Sequence, residues 1–292
     1  MPDAASTPAV RLAGLRKAFP GPFGPLTSFV GAARREVLHG IDLELARGRM
    51  LGLVGPNGSG KTTLLRLLAG LERPSAGELV VLGGTPDSGE VRRRVGFLSE
   101  DSPFPPELRA GAALELLAAL QGISRGERRG LAATWLERVG LAAEARRPLG
   151  RFSKGMLRRF GLAQALLHEP ELVLLDEPTA GLDAVGVGLL GTLLDEVRAR
   201  GGAVVLSSHL LSDVFDPADE LAVLIDGSVR ARGAPAELVS GLRRVRLELE
   251  DASPELLARI DELARASGAE VAHRGPGSNV LLELYRRFGA GG

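Results

Sequence analysis

At 292 residues the chain is long enough for one large domain with a small appendage, and 45% hydrophobic with 25% charged residues excludes global disorder. Lys and Arg number 36, as do Asp and Glu, so the chain lacks the net basic field that gathers nucleic acid or anionic lipid. With no cysteine it can hold neither a disulfide nor a thiolate metal site.

The opening MPDAASTPAVRLAGL has no charged-then-apolar leader. No window approaches the roughly 18 to 20 apolar residues that a membrane span needs, so a cytoplasmic chain is expected. VRLAGLRKAF and EVLHGIDLELARG alternate apolar and polar residues as half-buried antiparallel strands do. Between them, Pro20 to Arg35 reads as a long hairpin excursion in which LTSFVGAAR forms a short helix. MLGLVG reads as a buried strand, followed by a glycine-rich loop and the Leu-striped helix KTTLLRLLAGL. From about Pro105 to Arg147, ELRAGAALELLAALQG and RGERRGLAATWLERVG carry apolar residues at spacings of three and four, with no strand between them. This predicts a helical insertion over about 100–165. Strand signals return in ELVLLDE, GAVVLSSH and ELAVLIDG, with helical stretches between, as a parallel sheet with crossover helices requires. In the last 50 residues RVRLELED alternates, and SPELLARIDELARASG has Ser253 as N-cap, Pro254 at the first position and Gly268 as stop. AEVAHR follows as a short strand, which makes 243–292 a small α+β tail on a main domain of 1–242.

GPNGSGKT, Gly55 to Thr62, fits the phosphate-loop pattern between a strand and a helix. Its backbone N–H groups and the helix dipole can meet a β-phosphate, while Gly55, Gly58 and Gly60 allow close approach. Lys61 reaches the β- and γ-phosphates, and the Thr62 hydroxyl ligates Mg²⁺. Lysine is otherwise found only at Lys17 and Lys154. At the end of LVLLDEP, Asp176 can hold the Mg²⁺ shell and Glu177 can polarise a water for in-line attack on the γ-phosphate. A lone Asp-Glu pair is commonly a solvated strand end, but a phosphate loop upstream weighs against that. His209 follows a strand whose carboxyl edge would face the same crevice. His39, His168 and His273 read as structural.

Together these residues resemble the ATP-binding subunit of ABC transporters, over roughly Val10 to Val239. GPNGSGKTT resembles the Walker A loop, which adds Pro56, Asn57, Ser59 and Thr63 to the nucleotide contacts, and LVLLDEP resembles Walker B with its catalytic glutamate. TAGLD resembles the D-loop and places Asp183 at a dimer contact; SSH resembles the switch-histidine segment. FSKGM falls where the family has its signature, usually Leu-Ser-Gly-Gly-Gln, so that Ser153, Lys154, Gly155 and Met156 would meet the ATP of a partner copy. Lys154 replaces a glycine there and Met156 a glutamine. In VGFLSED, Glu100 replaces the family's glutamine, where it could ligate Mg²⁺ or accept from the attacking water. Both variants point to exporters whose membrane subunit is of the ABC-2 kind. Phe19 lies about where the family stacks an aromatic on adenine, with Phe23 as a competitor.

The resemblance implies an α/β P-loop NTPase (RecA-like) core with an antiparallel β subdomain and a helical subdomain. It implies ATP and Mg²⁺, a homodimer or heterodimer of ATP-binding subunits, and a permease on a separate chain that holds the protein at the inner face of the membrane. It leaves a soluble ABC-type ATPase or a regulatory nucleotide-binding subunit as alternatives. Against the first stand the missing coiled-coil insertion and the single phosphate loop; against the second stand Glu177 and His209.

Overall fold

The computed structural model describes residues 7–20, 35–101, 103–209, 217–239 and 259. The interior of the anticipated hairpin excursion, including Phe23, and the anticipated tail apart from Arg259 lie outside them.

The chain opens with β1 (Val10–Phe19) and β2 (Arg35–Leu45), antiparallel, with Val10 opposite Leu45 and Phe19 opposite Arg35. Alternation buries Val10, Leu12 and Leu15 on one strand and Ile41, Leu43 and Leu45 on the other. β3 (Met50–Val54) is buried along its whole length and leads into α1 (Lys61–Leu68). β4 (Ala76–Val81) returns to pair with β1 and completes a three-stranded antiparallel sheet, β2-β1-β4. After the short α2 (Gly89–Arg92), capped where Val91 N–H donates to Ser88 Oγ, β5 (Val95–Leu98) enters a second sheet. The helices α3 (Ala110–Leu120), α4 (Arg125–Arg138) and α5 (Lys154–Leu166) follow with no strand between them among the described residues. β6 (Leu172–Asp176), α6 (Ala184–Ala199), β7 (Ala203–Ser208), β8 (Glu220–Ile225) and β9 (Ser228–Gly233) finish the second sheet. Its order is β5-β6-β7-β3-β8-β9, parallel as far as β8 and antiparallel at β9.

The apolar runs of the central strands feed two cores, because successive side chains point to opposite faces. Leu51, Leu53, Leu172, Leu174 and Val205 pack with the leucines of α1 and the antiparallel sheet. Met50, Val54, Val173, Leu175 and Leu206 pack with Leu114, Trp135 and Phe160 of the helices. Phe160 is fully buried and takes Phe104 edge-on at 4.8 Å. The parallel sheet is therefore the middle layer, with an antiparallel subdomain on one face and the helical subdomain on the other. This is the expected α/β architecture. Three strands exceed the expectation. β5 is only four residues long, β4 buries two of its six residues, and β9 (SVRARG) buries none, so each lacks the apolar run that marks a strand in sequence.

At the amino end of β6, Glu171 accepts from Arg94 Nε at 2.6 Å and Nη2 at 2.9 Å, and from Arg47 Nη1 at 2.6 Å. The Arg94 hydrogen bonds chiefly, joined by those of Arg47 and opposed by burial, hold its pKa at about 2 instead of 4.5. A depressed carboxylate pKa contributes stability above pH 4.5 that is lost as pH falls toward about 2. Solvent screens the cluster, so the effect is modest. Glu171→Gln should lower the melting temperature at pH 7 by about 2–4 °C and flatten its decline between pH 4.5 and 2, read by calorimetry across that range.

Candidate active site

Three parallel strands set the site. Val54 lies opposite Ser208 between β3 and β7, and Asp176 lies opposite Ser207 between β6 and β7. The loop after β3, the two acids that end β6, and His209 after β7 therefore emerge side by side at one carboxyl edge.

The loop Gly55–Gly60 turns into α1 through Gly60, whose φ is +105° and whose Cβ, were there one, would stand 2.6 Å from Leu38 Cδ2. Only glycine fits that turn. α1 starts with no side-chain cap and no acid in its first turn, which leaves its amide N–H groups and the positive end of its dipole available to an anion. Ser59 is buried, Asn57 and Gly58 are exposed, and Pro56, Thr62 and Thr63 are half-buried. Lys61 is 6% exposed and folds over the loop, its Nζ donating to Gly55 O at 2.7 Å and Pro56 O at 3.2 Å. Burial lowers its pKa against the pull of Glu177, Asp176 and Glu100. Behind the loop, Gly227 N–H donates to Ser59 O at 3.1 Å, and a Cβ on Gly55 would meet Leu224 O at 2.3 Å. This brace from β8 and the β8–β9 turn is long-range and leaves no local signal in sequence.

Asp176 is fully buried, and the Ser207 hydroxyl donates to its Oδ1 at 2.6 Å. The same Ser207 oxygen accepts from Glu177 N–H at 3.1 Å. Asp176 Oδ2 is buried without a hydrogen-bond partner. Glu177 is 6% exposed with φ +48°, a left-handed backbone that costs a non-glycine residue about 1–2 kcal/mol. His209 Nδ1–H donates to Glu177 Oε2 at 2.8 Å. Burial raises the Glu177 pKa, and the His209 hydrogen bond and the charges of His209 and Lys61 pull it back. Sequence reading passed over Ser207; only the register with Asp176 could have singled it out.

Ser153 is the N-cap of α5, its Oγ accepting from Met156 N–H at 3.2 Å. One first-turn amide is thus already capped, while the serine hydroxyl keeps its own proton to donate. Gly155 lies tight against the loop after β6, since a Cβ there would stand 2.8 Å from Gly181 O. Lys154 is exposed and its stem crosses Gly181, with Cγ 3.1 Å from where a Cβ of Gly181 would be. Met156 instead packs partly buried against the helical core. Among the described residues no hydrogen bond joins Ser153–Met156 to the loop Gly55–Thr63. Asp183 is exposed and caps α6, accepting from Gly186 N–H at 2.8 Å. Glu100 is exposed just beyond β5. Phe19 is half-buried at the end of β1, with Lys17 Nζ 4.7 Å from its ring centroid.

Residues 38–180 match the model of the ABC transporter family. The Nod factor export ATP-binding protein I of Ralstonia nicotianae is 32% identical over 274 residues, covering 91% of this chain and 81% of that protein. The chain belongs to the ABC transporter ATP-binding family. An uncharacterized ABC transporter ATP-binding protein of a Nostoc species is 38% identical over 224 residues, 76% of this ABC chain and 67% of that one. The solved dimer of the ATP-binding cassette MJ0796 in a post-hydrolysis state, bound to ADP and Pi, matches with a TM-score of 0.68 at 26% identity, over 77% of this chain and 98% of its own.

Ser207 ties the buried Asp176 carboxylate to the backbone amide of Glu177. Ser207→Ala should leave the Glu177 amide and Asp176 Oδ1 unpaired and lower unfolding stability by about 1–3 kcal/mol in urea titration. An unchanged midpoint would mean that the Asp176–Ser207–Glu177 chain contributes nothing to holding the edge.

Proposed function

We propose that this ABC chain binds and hydrolyses ATP, and that ATP-dependent closure of two such chains drives export through a separate membrane subunit. The observation that carries the reading is the cluster of Asp176, Glu177, Ser207 and His209 at the strand edge beside the Gly55–Thr62 loop.

ATP phosphates would take the loop amides and the first turn of α1, with Lys61 Nζ transferred from the Gly55 and Pro56 carbonyls to the β- and γ-oxygens. Phe19 would stack on the adenine. A Mg²⁺ ion suits the residues present, since Asp176 Oδ2 is an acceptor without a partner and Thr62 lies in the first turn of α1, with Glu100 as a further oxygen donor. Among the described residues no three His, Asp or Glu side chains form a cage of their own, as befits an ion that also relies on phosphate oxygens. When bound it would neutralise charge on the β- and γ-phosphates. Glu177 accepts a proton from the attacking water as its oxygen bonds to the γ-phosphorus; the bond to the β–γ bridging oxygen breaks, leaving ADP and phosphate. Two features serve that step. Burial raises the pKa of Glu177 and so its basicity, and His209 fixes Oε2 and leaves the other oxygen to the water.

Ser153, Lys154 and Gly155 would meet the ATP held by a second copy, with Met156 supporting the turn from behind. The Ser153 hydroxyl, the α5 amides not already capped, and the Lys154 ammonium are donors suited to a γ-phosphate. Asp183 stands beside Val185 and Val187, which are exposed at the start of α6 as residues of a dimer contact are in the free chain. Whether that contact joins two copies or two related chains, the chemistry is the same. The membrane subunit would dock at an open groove of about 280 Å³ between the edge strand β5 and α3 and α5, lined by Phe97, Pro103, Phe104, Gln121 and His168. Leu116 and Leu120 are exposed on α3, apolar surface that such a partner would cover. No helix among the described residues is long and apolar enough to cross a membrane, so the chain would reach the inner face of the membrane through that partner. Export, in an ABC-2 arrangement, draws support from the Ralstonia relative and from Lys154, Met156 and Glu100.

Glu177→Gln removes the proton acceptor and keeps the shape. It should abolish steady-state ATPase activity and trap an ATP-dependent dimer, read by phosphate release and light scattering. Unchanged turnover in this variant would contradict the assignment of Glu177 as the base.

A further inference from the structure

Arg158 lies one turn into α5 and is only 4% exposed, a guanidinium set against the helical core. A buried cation is tolerated where fixed partners hold it. Here Nη1 donates to the Ser99 carbonyl at 2.9 Å. Ser99 is the first residue after β5 and the one before Glu100. Burial works against the charge, while Glu100 foremost, then Asp176, Glu177 and Asp101, favour it. The hydrolytic step proposed above gives this cation nothing to do.

Its place on α5 does. Lys154 and Arg158 are four residues apart and share one side of the helix. The first crosses Gly181 in the loop after β6, and the second holds Ser99 in the loop after β5. β5 and β6 are neighbouring parallel strands, so α5 rests on both loops at the carboxyl edge of the sheet. We infer that Arg158 is a positioning residue of the ATPase cycle, clamping the Glu100 loop of the chain's own nucleotide site to the helix whose start meets the ATP of the partner copy. The inference rests on the composite-site reading above. It also accounts for Glu100. A carboxylate there adds negative charge beside a triphosphate, and the buried guanidinium one loop away offsets it. Arg158 thus feels the charge of its own site, which changes when a triphosphate arrives and again when the γ-phosphate leaves, and it carries that change to the Ser153 end of α5. A planar guanidinium fixes the carbonyl direction better than an ammonium.

The test uses the full chain carrying Arg158→Gln or Arg158→Lys, each with Glu177→Gln to stop turnover. Melting temperature, affinity of the dilute monomer for a fluorescent ATP analogue, and the ATP concentration that half-forms the dimer are measured. The clamp predicts that Arg158→Gln changes analogue affinity by less than about twofold yet raises the ATP needed for dimerisation by about tenfold or more, with Arg158→Lys between. Adding Glu100→Gln should recover part of the loss, because the charge that Arg158 offsets has gone. Three results would each overturn the clamp: dimerisation at the unaltered ATP concentration, equal losses in analogue affinity and dimerisation, or no recovery with Glu100→Gln. If Arg158→Gln does not fold, the same comparison is made between Arg158→Lys and Arg158→Lys with Glu100→Gln, and lack of recovery overturns the clamp. If Glu177→Gln with Arg158 intact does not dimerise on ATP, it is the composite-site reading that has failed.

Discussion

The pairing of β6, β7 and β3 in parallel is the constraint from which the rest of the site follows. Asp176 opposite Ser207, and Val54 opposite Ser208, bring three separated stretches of chain to one edge within a single step of register. A slip of one residue in β7 would turn Ser207 to the other face and leave Asp176 without the hydroxyl that holds it. The register is fixed by packing, because the strands are buried on both faces and each alternate residue belongs to a different core. The hydrophobic layering that stabilises the fold is thus the same feature that aligns the polar edge.

At that edge the electrostatics oppose one another by design of position. Burial disfavours charge on both Lys61 and Glu177, and each draws the other back toward its ionised form. His209 adds a hydrogen bond to the carboxylate, and the left-handed backbone at Glu177 stores strain that the Ser207 contact helps to hold. Such a cluster is a poor contributor to stability and a good receiver of a polyanion with its counter-ion. The helical layer then ties into it through α5, by the Gly155–Gly181 contact and by Arg158 on Ser99.

Much of the layering was legible in sequence because it rests on strong local signals. The loop Gly55–Thr62 is a fixed spacing with glycines that the backbone requires, and β1, β2, β3, β6, β7 and β8 carry clear alternation or unbroken apolar runs. What was not legible depends on distant parts of the chain. β9 is polar and exists because β8 offers it an edge; β5 is four residues held by β6. Ser207, Gly227 and Arg158 look unremarkable in sequence and gain their roles from what lies across from them. The Ser153 side chain illustrates the limit within a motif: its place in the signature was readable, but that it caps Met156 N–H, and so uses one of the free amides, was not.

The central claim is that an ATP held by one chain is completed by the α5 start of another. Mixing two inactive variants tests it most directly: Lys61→Ala, which spoils the chain's own phosphate loop, and Gly155→Asp, which drives a side chain into Gly181 and puts a negative charge where a γ-phosphate would lie. A mixed dimer has one doubly spoiled site and one site in which both halves are intact. Each variant alone should be inactive, and an equal mixture should regain ATPase activity, up to about a quarter of that of the unaltered chain if half the dimers are mixed and their sites act independently. An inactive mixture of two folded variants, or full activity in Gly155→Asp alone, would contradict the account.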